Sequence, residues 1–168
     1  MTRTESRVAV AGMSSHDPEY MRRALNNAQA AAECGEAPIG AVVIDPSSGK
    51  VVSEAGNAPI GLHDPSAHAE ILALRAAGAA LGNYRLTGLW LYVTLEPCAM
   101  CAGAISHARI GRLIFGASDP KGGAILHGPR YFDQPTCHWR PVVSHGVLAD
   151  DCATLLRDFF RARRRKGG

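Results

Sequence analysis

Hydrophobic and polar positions alternate along the chain between helical and extended spacing. A segment with helical spacing runs from Asp17-Pro18, which resembles an N-cap followed by proline at the first helical position, to Cys34. The apolar run at 39–44 predicts a short strand, and residues 50–55 predict a second strand after a turn rich in Asp, Pro, Ser and Gly. These two strands are therefore expected to form a hairpin.

The remaining chain continues to alternate between the two patterns, and no repeat or linker interrupts it. A second cap-plus-proline signal, at Asp64-Pro65, predicts a helix after it, and a strand at 89–95 and a helix from Pro97 to near Arg109 follow. Beyond these, the pattern predicts a strand at 113–115, a long Gly- and Pro-rich loop at 117–141, a short strand near 142–143 and a terminal helix from Ala149. Strands that alternate with helices predict a layered α/β fold, and the hairpin makes the sheet mixed rather than all parallel.

Length and composition fit one globular domain. The chain has 168 residues, of which 46% are hydrophobic and 20% are charged. Residues 1–16 show no periodicity, so we expect a loose N-terminal extension followed by one domain over 17–168. The longest apolar run near the start, 8–11, is too short for a signal peptide or a membrane span. A cytoplasmic protein without membrane attachment is the expectation.

The net charge of +3 is divided unevenly along the chain. Residues 1–84 hold 6 basic and 9 acidic side chains, for −3, whereas residues 85–168 hold 12 basic and 6 acidic ones, for +6. The basic excess is greatest at 161–166, and such an asymmetry favours a polyanionic partner. A solvated tail that complements the negative end of a helix is the alternative.

Two short segments carry the candidate chemistry, His68-Ala69-Glu70 and Pro97-Cys98-Ala99-Met100-Cys101. Each lies at a predicted helix start, where partial positive charge favours thiolates. Cys98 and Cys101 are three residues apart and share a helical face, so together with His68 they offer three ligands to one ion. Tetrahedral zinc takes four ligands, and a three-ligand site leaves one position for water.

Glu70 lies two residues from His68, so it need not be a fourth ligand. From the first helical turn its carboxylate can reach the water, accept a proton and deliver it to a leaving amine. Together, the two segments match the signature of zinc deaminases of nucleobases, in which the glutamate is an acid/base and not a ligand.

Other interpretations of the cysteines stay open at this point. The Cys98/Cys101 pair alone also fits a redox dithiol, although Glu70 would then have no role. A closed structural zinc site requires a fourth ligand, which the separate residues Cys34, Cys137 or Cys152 could supply only through the fold. The adjacent pair Cys137-His138 is a weak candidate for a second metal site.

Beyond these motifs, the sequence resembles the bacterial tRNA-specific adenosine deaminase family over 20–164. The resemblance is densest in 57–71 and 91–104, and it also includes 115–124 and 158–161. The deaminase motif by itself is shared with cytidine and guanine deaminases, whereas these longer matches are not.

The resemblance implies a three-layer α/β/α cytidine-deaminase-like fold with a mixed five-stranded sheet, a homodimer and one zinc ion per subunit. It also implies deamination of the wobble adenosine to inosine in the anticodon loop of an arginine tRNA. Asn57 is expected to contact the flipped base and Asp119 the sugar of the target nucleotide. The remaining RNA-contacting residues are expected on the last helix: Phe160, Arg161, Arg163 and Arg164.

Three functions therefore follow from the sequence, with tRNA adenosine deamination first. An anticodon base is already unpaired, so extruding it costs little, and aromatic and basic side chains are what hold single-stranded RNA. The alternative is a deaminase of a free base or nucleotide, such as guanine or cytosine, which would not need the basic tail. A non-catalytic zinc module that binds nucleic acid is third, and it requires a closed four-ligand site.

Overall fold

Residues 7–167 of the chain are described by this computed structural model, and they form five strands and five α-helices. The elements in chain order are α1 (Asp17–Glu33), β1 (Gly40–Asp45), β2 (Lys50–Gly56), α2 (Pro59–Leu62), α3 (Ala69–Leu81), β3 (Trp90–Leu95), α4 (Ala99–His107), β4 (Arg112–Ala117), a 3-10 turn (Tyr131–Asp133), β5 (Val142–His145) and α5 (Ala149–Lys166).

The strands form one mixed sheet in the order β2-β1-β3-β4-β5. Strand β1 runs antiparallel to both β2 and β3, whereas β3, β4 and β5 are parallel to one another. The predicted hairpin and the predicted mixed sheet are therefore both confirmed.

Helices cover both faces of this sheet, because successive strand residues point to opposite sides. On one face, Val42 and Tyr92 pack against α1 and α5. On the other face, Val43 and Leu91 pack against α3 and α4. Helix α1 lies so close to β1 that a Cβ on Gly40 would overlap the backbone of α1. The expected three-layer α/β/α architecture is confirmed.

One edge of the sheet gathers the loops that can carry chemistry. Strand β2 ends there and β1 begins there, since the Asn57 N–H donates to the Ile39 carbonyl at 3.0 Å. Strand β3 ends at the same edge, where the Gly40 N–H donates to Thr94 Oγ1 at 3.2 Å. The segments that lead into α3 and α4 therefore meet at this edge, as ligand-binding loops of α/β sheets commonly do.

Two predicted helix starts differ from the structure. The N-cap of α1 is His16, and the Asp17 carboxylate is buried against Arg112 instead of capping the helix. The second cap-plus-proline signal also opens no helix, because Asp64 Oδ1 accepts from both the N–H and the hydroxyl of Ser66 and closes a turn. Helix α3 begins later, at Ala69.

The segment before α1 is expected from the sequence to be a loose extension. Over its described residues, it contacts the last strand of the sheet, β5. Val10 forms a parallel bridge with Val143, whose N–H and carbonyl bond Ala9 and Ala11 at 2.9 Å. Arg112 Nη2 donates to the Gly12 carbonyl at 3.1 Å. These contacts hold residues 9–12 beside β5, while residues 1–6 lie outside the described residues.

Helix α5 is amphipathic and ends in a basic turn. Cys152 is buried against the sheet, whereas residues 160–166 are exposed. Across residues 7–167, we find no helix with the combination of length and apolar character that a membrane span requires.

Candidate metal centre and active site

His68, Cys98 and Cys101 converge on one point at the sheet edge. His68 Nδ1 lies 3.6 Å from Cys98 Sγ and 3.5 Å from Cys101 Sγ. All three ligand atoms lie within 4.8 Å of one another, although the two segments are about thirty residues apart in sequence. The predicted ligand set is therefore brought together by the fold.

The separations match those of ligands around a tetrahedral zinc ion. Zn–S and Zn–N bonds of about 2.3 and 2.0–2.1 Å place nitrogen and sulfur about 3.6 Å apart at the tetrahedral angle. The observed His68–Cys98 and His68–Cys101 distances agree with this value. One imidazole and two thiols are also ligand types that zinc prefers, so the residues fit the metal.

Local chain geometry explains why these residues can converge. His68 and Cys98 are the N-cap residues of α3 and α4, and both have extended backbone angles that turn the chain into its helix. Cys101 lies about one turn further along α4, on the same side of the helix as Cys98. The site therefore combines two helix N-termini, whose partial positive charges stabilise thiolates.

The two thiols differ in the direction in which their pKa values are shifted. A hydrogen bond donated by Cys101 and contacts with His68 lower the pKa of Cys98 to about 4, despite burial. The same hydrogen bond, together with burial, raises the pKa of the Cys101 thiol. A thiolate at neutral pH is the form in which cysteine binds metal and acts as a nucleophile, so the pair is prepared to bind a cation.

Glu70 lies behind the three ligands in the first turn of α3. Its side chain is buried, and burial raises its pKa to about 7, with the negative charge of Cys98 adding to the effect. Among the described residues, Glu70 Oε2 is the buried side-chain oxygen that has no hydrogen-bond partner. Buried carboxylate oxygens are normally satisfied, so this atom is positioned for a partner that enters the site, such as water or a substrate amine.

The remaining cysteines do not extend the ligand set. Within residues 7–167, the cluster of potential metal ligands consists of His68, Cys98 and Cys101 alone. Cys137 is buried and bonds the Trp139 carbonyl, and the adjacent His138 is exposed. The described residues thus provide neither a fourth ligand nor a second metal cluster of this kind.

The two residues expected to contact the target nucleotide lie on loops at the same sheet edge. Asn57 is buried directly after β2, and its Oδ1 accepts from the N–H of Ala69 at 2.8 Å. Asp119 follows β4, and its Oδ1 accepts from the N–H groups of Lys121 and Gly122. In each residue, one side-chain oxygen therefore accepts a backbone hydrogen bond, and this bond fixes the orientation of the side chain.

The expected RNA-contacting residues of α5 lie apart from the metal ligands, on the other face of the sheet from α3 and α4. Phe160 is 42% exposed, and the arginines at this helix end are exposed: Arg161, Arg163 and Arg164. Phe159 is partly buried and packs edge-on against Phe160. Of the two rings, that of Phe160 is therefore the one exposed to solvent.

Two buried carboxylates near the site were missed by the sequence analysis. Glu36 accepts from the N–H of Ile60 and of Gly61, which fixes α2 beside Asn57. Glu96, directly before Pro97, holds the loop after β4 through several hydrogen bonds. The available signal was a charged residue placed between a buried strand and a candidate ligand, as in Leu95-Glu96-Pro97.

Comparisons with known proteins agree with this geometry. Residues 14–117 match the model of the cytidine and deoxycytidylate deaminase zinc-binding region. A tRNA-specific adenosine deaminase of Agrobacterium fabrum is 52% identical over 145 residues, which cover 86% of this chain and 94% of that protein. The tRNA-specific adenosine deaminase of Haemophilus influenzae is 48% identical over 151 residues, which cover 90% and 87%.

A solved structure is similar over most of its length. It comes from studies of A-to-I editing by tRNA:A34 deaminases at the wobble position of transfer RNA, and it is 51% identical with a TM-score of 0.80. The match covers 82% of this chain and 99% of that one. The similarity therefore extends beyond the zinc-binding segments to most of the chain.

Proposed function

Because the chain belongs to the tRNA-specific adenosine deaminase family, we propose that it deaminates the wobble adenosine of a tRNA anticodon to inosine by hydrolysis. The observation that carries this proposal is the three-ligand cluster with the unpartnered Glu70 Oε2 beside it. An open metal site and a buried acid/base are the two parts that hydrolytic deamination requires.

The overall reaction replaces one exocyclic nitrogen with oxygen. His68, Cys98 and Cys101 would hold zinc, which when bound lowers the pKa of water from ~15.7 to about 7. A C–O bond forms at carbon 6 of adenine, the C–N bond breaks, and ammonia leaves. Glu70 Oε2 accepts a proton from the attacking water and returns it to the departing nitrogen.

Burial prepares Glu70 for this proton transfer. Burial raises the pKa of the Glu70 carboxyl above its ordinary value, towards the range in which a group can both accept and donate a proton near neutral pH. The buried side chain is also held in the first turn of α3, so little reorganisation is needed when substrate arrives.

Recognition of the nucleotide is assigned to Asn57 and Asp119. With Oδ1 occupied by Ala69, the Asn57 amide keeps its NH₂ group to donate to an acceptor nitrogen of the purine. With Oδ1 occupied by backbone N–H groups, Asp119 keeps Oδ2 to accept from a ribose hydroxyl. These assignments give each residue one fixed polar group for the flipped nucleotide.

The basic end of α5 is proposed to hold the phosphates of the anticodon stem-loop. Arg163 Nη1 lies 3.4 Å from the Gly35 carbonyl, and the next residue, Glu36, fixes α2 beside Asn57. Through Arg163, these contacts connect the basic end of α5 to the segment that precedes α2 and Asn57. Phosphate-binding cations with a stacking ring are the usual elements of single-strand recognition.

A homodimer and a cytoplasmic location complete the proposal, with one zinc ion in each subunit. The groove between α3 and α4, about 610 Å³ in volume, is bordered by the apolar residues Ile71, Leu74 and Ala104. Leu81 and Tyr84 are more than half exposed at or near this face, and unpaired apolar surface of this kind favours association. Sedimentation velocity on the zinc-loaded protein tests the dimer.

An activity assay with small and large substrates tests the reaction. Zinc-loaded protein is incubated with an arginine tRNA anticodon stem-loop that carries A34, and with free adenosine, cytidine and guanine in parallel. Inosine should form at the wobble position of the stem-loop alone. Efficient deamination of free guanine or cytosine, with no reaction on the stem-loop, would replace this proposal by the small-molecule alternative.

A further inference from the structure

Glu96 is a buried carboxylate that the reaction described above does not use. Its side chain is inaccessible to solvent, yet it lies two residues before the ligand Cys98. Removing a carboxylate from water is costly unless hydrogen bonds replace the lost hydration. The contacts that replace it identify what this residue does.

All of the observed hydrogen bonds to the Glu96 carboxylate come from one loop, 119–127. Oε1 accepts from three consecutive backbone N–H groups at 2.8–3.1 Å, and Oε2 accepts from the N–H of Asp119 at 2.9 Å. His127 Nδ1 is a further 2.9 Å contact to Oε2. Charge-assisted bonds of this number lower the pKa of Glu96 even though burial raises it.

Two backbone hydrogen bonds also join the end of β4 and the segment after it to the two residues that precede the metal ligand Cys98. The Ala124 N–H donates to the Pro97 carbonyl at 2.9 Å, and the Glu96 N–H donates to the Ala117 carbonyl at 2.8 Å. A Cβ on Gly123 would overlap the Glu96 carboxyl carbon, so the loop wraps closely around this group. The loop is rich in glycine, and without these bonds its conformational entropy would be high.

We propose that Glu96 is a positioning residue that fixes the Asp119 loop against the start of the zinc-ligand helix α4. Through these hydrogen bonds it sets where Asp119 meets the target nucleotide relative to Cys98. It therefore contributes to binding of the RNA rather than to proton transfer, and this inference rests on the proposed function.

The test is Glu96→Gln, which keeps the side-chain size and removes one acceptor. An amide has one oxygen and one NH₂ group, so either the three loop N–H groups or the Asp119 N–H must face a donor. The cost of one unsatisfied buried N–H corresponds to roughly a tenfold change in an equilibrium constant. We expect KM for the anticodon stem-loop to rise by about that factor, with kcat and zinc content near those of the unmodified protein.

A binding measurement separates positioning from chemistry. Fluorescence anisotropy of a labelled stem-loop is recorded with Glu70→Ala and with Glu70→Ala/Glu96→Gln, in which the loss of the acid/base slows turnover enough for binding to be measured. The dissociation constant should rise about tenfold in the double variant. The matched control is Asp45→Asn, because Asp45 also closes a turn through bonds to Ser47 and Ser48, but at the far end of β1. That control should bind like its parent.

A second variant changes the loop and leaves the carboxylate in place. A Cβ at position 123 would overlap the Glu96 carboxyl group and the Asp119 carbonyl, so Gly123→Ala must displace this part of the loop and should show the same selective rise in KM. Stem-loop affinity unchanged in both Glu96→Gln and Gly123→Ala would overturn the proposal, and so would loss of zinc from Glu96→Gln combined with normal affinity in Gly123→Ala. Failure of the unmodified protein to deaminate the stem-loop would instead remove the proposed function.

Discussion

The buried ion pair between Asp17 and Arg112 allows a quantitative prediction about stability. Arg112 Nη1 and Nη2 donate to Asp17 Oδ1 and Oδ2 at 3.0 and 2.8 Å, a bidentate geometry, and the Tyr92 hydroxyl donates to Oδ1 at 2.7 Å. The Asp17 side chain is fully buried and that of Arg112 is 8% exposed. Asp17→Ala therefore leaves a buried guanidinium without a counter-ion.

The expected loss in the free energy of unfolding is about 3–5 kcal/mol, the usual result of removing one partner from a buried pair. The matched control is Glu54→Ala, because the Arg23–Glu54 pair is exposed and should contribute no more than about 1 kcal/mol. The double variant Asp17→Leu/Arg112→Met should recover most of the loss, since it leaves no unpaired charge.

The pair also gives a pH dependence with a defined sign. Burial raises the pKa of Asp17, but hydrogen bonds from Arg112 and Tyr92 outweigh it, so the folded-state pKa lies below the ordinary value. The stabilisation is thus fully present above the unfolded pKa of about 3.9 and is lost as the pH falls through the folded value.

Urea unfolding followed by circular dichroism between pH 3 and 7 checks both predictions. The difference between the unmodified protein and Asp17→Ala should be largest near neutral pH and should shrink in acid. Taking differences at each pH cancels the contribution of zinc release, which both proteins share. A loss for Asp17→Ala no larger than that for Glu54→Ala would show that the pair does not stabilise the fold as described.

The remaining predictions concern the metal, the acid/base and the basic tail. Cys98→Ala and Cys101→Ala should each lose zinc in elemental analysis, and full retention in both would rule out this site. Glu70→Ala should keep its zinc but lose ~100-fold or more in kcat, and near-normal turnover at saturating stem-loop would exclude it from proton transfer. Deleting 162–168 removes four cations, so stem-loop binding should weaken and its logarithmic salt slope should flatten by up to about 3; an unchanged slope would exclude phosphate contacts there.

The parts of the fold that sequence could predict are those set by local pattern. The apolar runs that became β1 and β3 have strand spacing, and the zinc ligands have a spacing that few other functions use. The short helix Pro59–Leu62 has too few residues to show periodicity, and its position depends on Glu36 from another part of the chain. Such tertiary hydrogen bonds leave no local signal.

Asp17 and Asp64 show why identical local signals can have different outcomes. Both precede proline, as N-cap residues often do, yet neither caps a helix with its side chain. Asp17 meets an arginine 95 residues away, and Asp64 closes a turn onto Ser66. A capping hydrogen bond contributes about 1 kcal/mol, so a bidentate buried arginine or a two-bond turn readily replaces it.

The separation of the ligands along the chain also determines when the protein can acquire its metal. His68 follows one strand of the sheet and Cys98 follows another, and they meet only at the edge of the assembled sheet. An unfolded chain offers zinc the Cys98/Cys101 pair alone, which is a weaker chelate. Zinc affinity is thus linked to completion of the tertiary fold, and the fraction of chains that contain zinc reports the fraction that is folded. A chelator that removes zinc shifts the equilibrium towards the unfolded chain.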